Sequence, residues 1–459
     1  MGKKNQQKPL ICIKIFLIMK MSSRIEHIIN EITDQYLLDD GAIPWIIGFS
    51  GGKDSTVLLQ LVWTALKNLG DINGISPRDV YVVCNDTMVE NPIISNYVDK
   101  VLDKIQETAV RDGLNIQVQK TTPRLEDSFW LNIIGKGYPV PNNAFRWCTE
   151  KLKIKPTSRF VVDQIDEKGK AIVLVGTRSD ESQNRARMIK KHEIRGKRLS
   201  KHSNLRNAFI YSPIKNLLLE EIWYIINTMP SPWGASNDEL FQIYSDASSD
   251  DYECPTMVSN KNHSSCGNSR FGCWTCTVVK KDKSMSSLVD NGFNWLAPLL
   301  EFRNELMEGR NIPKNRSTKR RNGTDAKNGM GTYKAKYRAE ILERLLETQK
   351  TIQETYPEIE LITNQEMVAI QVTWYRDFIF KYKVAHIYNN VYSKELDMNK
   401  QDENFRKEEE LLKEVCENDE QFSLIQDHLA LSKNKALLTK KRGLKEDLER
   451  RIKKMIDKK

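Results

Sequence analysis

The sequence predicts an α/β protein with a parallel sheet covered on both faces, a cysteine-bearing segment after it, and a mostly helical C-terminal region. Three observations point there. Short apolar strands alternate with amphipathic helices through the first half of the chain. A glycine-rich turn joins the first such strand to its helix. Beyond Ser245 the alternation stops, and cysteines, then basic residues, then helical periodicity take over.

The elements follow in order. Residues 24–38 carry Ile25, Ile28, Ile29, Ile32 and Leu37 along one side of a helix, with Ser22 or Ser23 as its cap. Trp45–Gly48 is a short apolar strand, and Thr56–Leu69 repeats Leu58, Leu59, Val62 and Leu66 at helical spacing. Val80–Val83 then reads as a strand, Ser95–Val110 as a helix and Ile116–Val118 as a strand. A helix near Lys155–Ile165 precedes a buried strand over Ala171–Val175. The expected organisation is a leader over 1–23, a nucleotide-binding domain over 24–244, a cysteine segment over 245–311, a basic Gly-rich segment over 312–338 and a helical region over 339–459. That last region ends in charged helices around Glu408–Cys416 and Lys445–Lys459.

The apolar stretch Leu10–Met19 is broken by Lys14 and is followed by no small-residue cleavage site, so it does not read as a signal peptide. Within the leader, residues 1–20 are expected to be disordered or to lie upstream of a start at Met21. No apolar run reaches the ~18 residues of a membrane span, and a cytoplasmic protein is expected. Eight cysteines in 459 residues are too few for a disulfide scaffold and fit a reducing compartment. A net charge of +10 suits a polyanionic partner.

Ser50-Gly51-Gly52-Lys53-Asp54-Ser55 lies where the first strand gives way to a helix. Glycines there let backbone N–H groups turn inward at the positive end of the helix, which makes an anion site. Ser50 and Ser55 add hydroxyls, and Lys53 adds charge. Asp54 stands where a Walker A loop would have Ser or Thr, and a carboxylate beside phosphates is a candidate Mg²⁺ ligand. Two further segments end strands on the same edge. One is Cys84-Asn85-Asp86-Thr87, with Glu90 beyond it. The other is Gly176-Thr177-Arg178-Ser179-Asp180-Glu181-Ser182, with Arg185 and Arg187 after it.

The loop string resembles the SGGxDS signature of the PP-loop ATP pyrophosphatases, whose fold is of the adenine nucleotide alpha hydrolase type and which split ATP between its α- and β-phosphates. That resemblance implies ATP at Ser50, Gly51, Gly52, Lys53, Asp54 and Ser55, with Asp86, Arg178, Glu181 and Arg185 also at the nucleotide. Lys53 and Asp54 would then be catalytic.

Cys254, Cys266, Cys273 and Cys276 are separated by eleven, six and two residues. A C-x₂-C pair puts two thiolates on one loop, and the spacing admits either zinc or an iron–sulfur cluster. The run Cys266-Gly-Asn-Ser-Arg-Phe-Gly-Cys273-Trp-Thr-Cys276, with Tyr252–Pro255, Asp127–Trp130, Tyr138–Pro141 and Arg146–Lys153, resembles the Dnd-type DNA phosphorothioation sulfurtransferases. The likeness runs from about residue 24 to residue 340. It implies a [4Fe–4S] cluster on those four cysteines, DNA as substrate, a cysteine desulfurase as sulfur donor, and other DNA-phosphorothioation proteins as partners.

Cys148 lies between Arg146 and Lys151, and cationic neighbours favour thiolate. It reads as a sulfur carrier, a cluster ligand in place of Cys254, or a structural thiol, with the substrate-proximal sulfur role preferred. Sulfonucleotide reductases have two adjacent cysteines there, whereas Thr149 follows Cys148. Cys12, Cys84 and Cys416 read as structural or incidental. Ile312–Arg338 holds nine Lys/Arg against Asp325 alone, with Tyr333 and Tyr337 among them, and is a candidate DNA contact.

The expected reaction is adenylylation of a DNA phosphate oxygen with release of pyrophosphate, then displacement of AMP by sulfur. A sulfonucleotide reductase and a tRNA thiolase are the alternatives within the superfamily. A cluster-bearing redox regulator that binds nucleic acid is the alternative of another class.

Overall fold

The computed structural model describes residues 7–38, 42–70, 78–247, 272–321, 323–326, 329–377, 379, 381–395, 416 and 421. Cys254, Cys266 and the helices expected around 408–416 and 445–459 lie outside this set, Cys416 excepted.

The first half runs α1 (Gln7–Leu37), β1 (Trp45–Gly48), α2 (Lys53–Leu69), β2 (Val80–Asn85), α3 (Pro92–Arg111), β3 (Ile116–Thr121), α4 (Lys155–Lys168), β4 (Ala171–Leu174), α5 (Gln183–His192), β5 (Leu199–Lys201), β6 (Ala208–Tyr211), α6 (Leu219–Thr228) and α7 (Asn237–Asp246). The second half is α8 (Lys283–Asp290), α9 (Ala297–Gly309), α10 (Ala335–Gln353), α11 (Asn364–Arg376) and α12 (Val384–Tyr392).

The six strands lie in the order β3-β2-β1-β4-β6-β5. All neighbours are parallel except β5 against β6. Ile47 of β1 sits between Val82 of β2 and Leu174 of β4. The chain leaves β1 toward β2 on one side and joins β4 only later on the other. The crevice between the β1 and β4 carboxyl ends is therefore the switch point at which open α/β sheets bind ligands.

One sheet face is covered by α1, α2, α3, α6 and α7 through a core that includes Ile32, Trp45, Leu58, Trp63, Ile105 and Ile222. On the other face Ile46, Val83, Val161 and Val173 pack with Phe160 of α4. Helix α1 starts well before residue 24, because no Gly or Pro interrupts the chain between Pro9 and Leu37. Ser22 and Ser23, expected as its cap, lie inside it. The part of the expected leader from Gln7 to Ser23 is helical. The buried guanidinium of Arg78 donates to the carbonyls of Tyr36, Leu38 and Ile43, and so satisfies groups that the C-terminal end of α1 leaves open.

A second core joins Phe129, Trp130, Ile134 and Trp147 to Trp274, Phe302, Leu342 and Trp374. Segments expected as consecutive units therefore share one interior. A wide turn over Leu131–Gly135, closed by the Lys136 N–H on the Leu131 carbonyl at 2.8 Å, leaves the Ile134 carbonyl facing inward. That carbonyl accepts from Trp374 Nε1 and Arg338 Nε, both at 2.8 Å. Among the described residues no helix is long and apolar enough to cross a membrane.

Candidate functional site

The chain turns sharply after β1. Gly51 has φ +73°, and a Cβ there would overlap the Val98 side chain. Ser55 Oγ donates to the Gly52 carbonyl at 2.9 Å and accepts from Ser50 N–H at 3.2 Å, which fixes the loop. Gly52 precedes α2 without a side-chain cap of its own, at the positive end of the helix. Lys53 is buried with its ammonium 4.9 Å from the ring centre of Tyr244, and the Tyr244 hydroxyl accepts from Lys53 N–H at 3.3 Å. Tyr244, at the end of α7, was not anticipated; its only sequence signal is an aromatic on the buried side of a helix that abuts the expected domain boundary.

Across the switch point, Gly176 comes so close that a Cβ on it would stand 2.9 Å from the Asp54 carbonyl oxygen. Two residues on, Arg178 is 1% exposed. Its Nε donates to Asp54 Oδ1 at 2.5 Å, and its Nη1 donates to Asp180 Oδ2 at 3.3 Å and the Leu217 carbonyl at 3.2 Å. Burial alone would lower its pKa, yet Asp54, Glu181 and Asp180 outweigh burial and hold it above the usual guanidinium value. Asp54 is thus first of all the partner of Arg178, with Oδ2 at 3.9 Å from Lys53 Nζ. The donor set fits Mg²⁺ only through Oδ2. Glu181 Oε1 accepts from Arg178 N–H at 2.8 Å and from Arg185 Nη1 at 3.0 Å, so in this structure Glu181 braces the turn.

A groove of about 270 Å³ opens beside the loop, lined by Ser50, Cys84, Asp86, Glu90, Lys120 and Lys153 among others. Asp86 Oδ2 lies 3.5 Å from Lys120 Nζ, and its Oδ1 accepts from Met88 N–H at 2.8 Å. Burial pushes the Cys84 thiol up to about 12, in keeping with an unreactive cysteine. Arg185 lines a different cavity, with Thr177 and Lys201.

The cysteine segment docks on the same edge of the sheet. Cys273 bridges to Glu90, Trp274 N–H donates to the Val89 carbonyl at 3.1 Å, and Asn91 N–H donates to the Gly272 carbonyl at 3.4 Å. The Cys276 N–H returns to the Cys273 carbonyl at 3.1 Å, which places both thiols on one tight turn. Buried Arg303 donates to the carbonyls of Cys276, Val279 and Lys280, and Trp274 packs between Trp130 and Phe302. The Cys273 thiol lies 3.3 Å from Thr87 Oγ1 and 3.9 Å from Glu90 Oε1, and burial followed by the Glu90 charge pushes it up to about 12. A C-x₂-C turn of this kind fits two ligands of one shared centre. Among the described residues no group of three or more His, Cys, Asp or Glu is gathered for a metal, and the other two expected ligands fall outside those residues.

Cys148 reaches the same place despite its distance in sequence. It packs against the second core together with Cys273, and its thiol feels the charge of Cys276. The expected activation by its cationic flanks is not what the structure has. Arg146 Nη2 donates to Asn143 Oδ1 at 2.6 Å, and Lys151 Nζ donates to Asp127 Oδ1 at 2.6 Å. Burial instead raises the Cys148 thiol above its usual value. The cation facing Cys273, Glu90, Cys148 and Cys276 is Lys153, which also lines the nucleotide groove and was given no role from sequence.

The basic segment is less open than its composition implies. Arg316 is buried and donates to the carbonyls of Gly331, Met330 and Arg310; Arg338 is buried against Ile134 and Gly135; Arg321 pairs with Asp377 at 2.9 Å. These three arginines hold the second core together. Lys314, Lys319, Arg320, Lys334 and Lys336 remain exposed, as does Arg321 despite its pairing.

The sequence profile of the phosphoadenosine phosphosulfate reductase domain matches residues 44–279. An uncharacterized protein of Methanocaldococcus jannaschii is 31% identical over 199 residues, 43% of this chain and 34% of that protein. The chain thus spans about a third of the length of this curated relative. Among solved structures, the PAPS reductase of Candida auris in a phosphate complex aligns over 46% of this chain and 87% of its own, at 15% identity and TM-score 0.28. The FMN adenylyltransferase of Candida glabrata with FMN and an ATP analogue aligns over 45% and 58%, at 15% identity and TM-score 0.26.

Proposed function

The chain belongs to the phosphoadenosine phosphosulfate reductase domain family, whose profile spans just over half of it, and on that premise we propose that it uses ATP to place sulfur on the DNA backbone. One observation carries the reading: Glu90 lines the groove beside the phosphate loop and also lies 3.9 Å from the Cys273 thiol. That the groove and the C-x₂-C turn meet at one edge of the sheet supports joining nucleotide chemistry to cysteine chemistry.

ATP would lie along Ser50–Ser55, its phosphates against the positive end of α2 and the Lys53 side chain. Asp54 would hold Mg²⁺ through Oδ2 while Oδ1 keeps Arg178 in place. A non-bridging oxygen of a DNA phosphate attacks the α-phosphorus, forming a P–O bond as pyrophosphate leaves with the broken one. A sulfur nucleophile then attacks the activated DNA phosphorus, and AMP departs with the oxygen. Positioning and charge neutralisation by the loop supply most of the acceleration. The sulfur comes as persulfide from a cysteine desulfurase, with Cys148 as its acceptor; attack by the outer sulfur would give a Cys148–S–S–P link, whose S–S bond an external dithiol reductant then cleaves, releasing the phosphorothioate and the Cys148 thiol as the dithiol is oxidised to its disulfide. Cys254, Cys266, Cys273 and Cys276 would hold a [4Fe–4S] cluster, which when bound supplies electron-transfer or sulfur-binding capacity beside the groove. Asp86 and Lys153 line the pocket for the nucleotide, and Lys153 offers a cation to anionic sulfur.

A sulfonucleotide reductase is the second reading, favoured by the family profile itself. It would require a catalytic cysteine on a late segment, and the only one after Cys276 is Cys416. Mass spectrometry of DNA nucleotides from cells with and without the gene separates the two. A sulfur-for-oxygen mass shift that depends on the gene is expected. Unmodified DNA alongside reduction of adenylylated sulfate by the purified protein would sink the DNA reading.

A further inference from the structure

We propose that α5 and the chain that follows it to Arg206 form the surface on which duplex DNA docks. Residues 183–206 hold nine Lys/Arg and one acid, Glu193, the same numbers as in the longer segment Ile312–Arg338. There Arg316 and Arg338 are buried, whereas here all nine basic residues are exposed. No residue of α5 is buried, and Arg187, Lys190, Lys191, Arg195, Lys197, Lys201 and Arg206 are all exposed. None of these seven has an ion-pair partner among the described residues; the pairs nearby belong to Arg185, Arg198 and Lys215.

The helix is also an unfavourable one by itself. With none of its residues buried it gains little from packing, and Arg187 faces Lys190 and Lys191 at the i+3 and i+4 positions, where like charges repel. Ser182 capping Arg185 N–H at 3.2 Å and the Glu181–Arg185 pair fix only its first turn. A polyanion laid along the remaining turns removes that repulsion. Ten residues make about 15 Å of helix, roughly four base pairs of duplex. An interfacial membrane helix would need a broad apolar face, whereas α5 offers Met188 and Ile189, which line the cavity against β5.

Position supports the same partner. Four residues separate Arg178, locked to Asp54, from the first residue of α5. A cavity of about 440 Å³ runs from Thr177 and Arg185 to Lys201 and His202. A duplex held on α5 would present its backbone next to the turn that carries Arg178. The inference rests on the sulfur-transfer reading for its choice of DNA, while the charge arrangement stands without it.

The test uses the full chain and a short duplex DNA, with affinity measured across a salt series. The charge-neutral variant K190Q/K191Q/R195Q should weaken binding and lower the slope of log K against log salt by about 2.7, at ~0.9 for each phosphate no longer neutralised. K197Q/K201Q/R206Q should do the same, and K314Q/K319Q/R320Q should leave the slope unchanged. These residues are exposed and outside the nucleotide groove, so ATP–pyrophosphate exchange should be unaffected in all three. An unchanged slope in the two α5–β5 variants, no duplex binding by the wild type, or preference for a structured RNA over duplex DNA would each overturn the proposal. Loss of the slope in a protein that neither exchanges pyrophosphate nor modifies DNA would support the surface and sink the sulfur-transfer reading alone.

Discussion

Asp54 and Arg178 are 124 positions apart, and nothing in their local sequence says that they meet. The loop and the Arg178 segment were each legible as ligand-edge motifs. The pair was not, because an ion pair across a topological switch point has no signature at short range. Arg178 is fully buried, so removing Asp54 leaves its guanidinium with only the longer contacts to Asp180 and the Leu217 carbonyl. Asp54→Ala should therefore cost about 3 kcal/mol in chemical denaturation, in addition to abolishing pyrophosphate release, with iron content unchanged. Wild-type stability in that variant would mean that the pair is not structural. Cys148 shows the reverse error. Its flanking cations suggested an activated thiol, but Arg146 and Lys151 are engaged elsewhere and burial governs. What remains of the sequence argument is that four other cysteines suffice for a cluster. Cys148→Ser should accordingly keep iron and ATP binding and lose DNA thiolation. Iron loss on that single change would make Cys148 a ligand and release Cys254.

At the scale of elements, the strands β1 to β4 and the helices between them were readable because each buried strand is a short apolar run and each helix repeats at 3.6 residues. Strands β5 and β6 were missed. Leu199–Lys201 is a polar edge strand that alternates weakly, and Ala208–Tyr211, as short and apolar as β1 and β4, follows it with no helix between them to mark the alternation. The wide turn at Leu131–Gly135 has no pattern of its own, since its carbonyls are satisfied by residues from the far end of the chain. Gly176 was read as part of a motif, but its packing role comes from the closeness of two loops. Gly176→Ala must displace backbone on the β1 side, and should cost about 1–3 kcal/mol and weaken ATP binding in calorimetry. Trp274 is the matching case in the cysteine turn. Trp274→Ala should cost about 3–5 kcal/mol and lower iron occupancy although no ligand has been removed. Full iron content in that variant would show that the turn holds its shape without the Trp130–Trp274–Phe302 stack.

Across the whole molecule the described residues pack into three clusters, one on each face of the sheet and one that gathers residues 129–152 with 274–391. Composition marked where the chain changes character, but it carries no information about which distant segments pack together. The bridge between Glu90 and Cys273 is where the two halves meet at the groove. If the cysteines hold iron as proposed, that bridge makes the two occupants thermodynamically linked. Whatever the cluster contributes to fixing Thr87–Asn91 it contributes equally to the nucleotide, and the coupling free energy must be the same read from either end. Protein stripped of iron by chelation should bind ATP about 5- to 150-fold more weakly, and saturating ATP should slow chelation. Equal ATP affinity with and without iron would mean that the loop transmits nothing, and the two sites would be neighbours only.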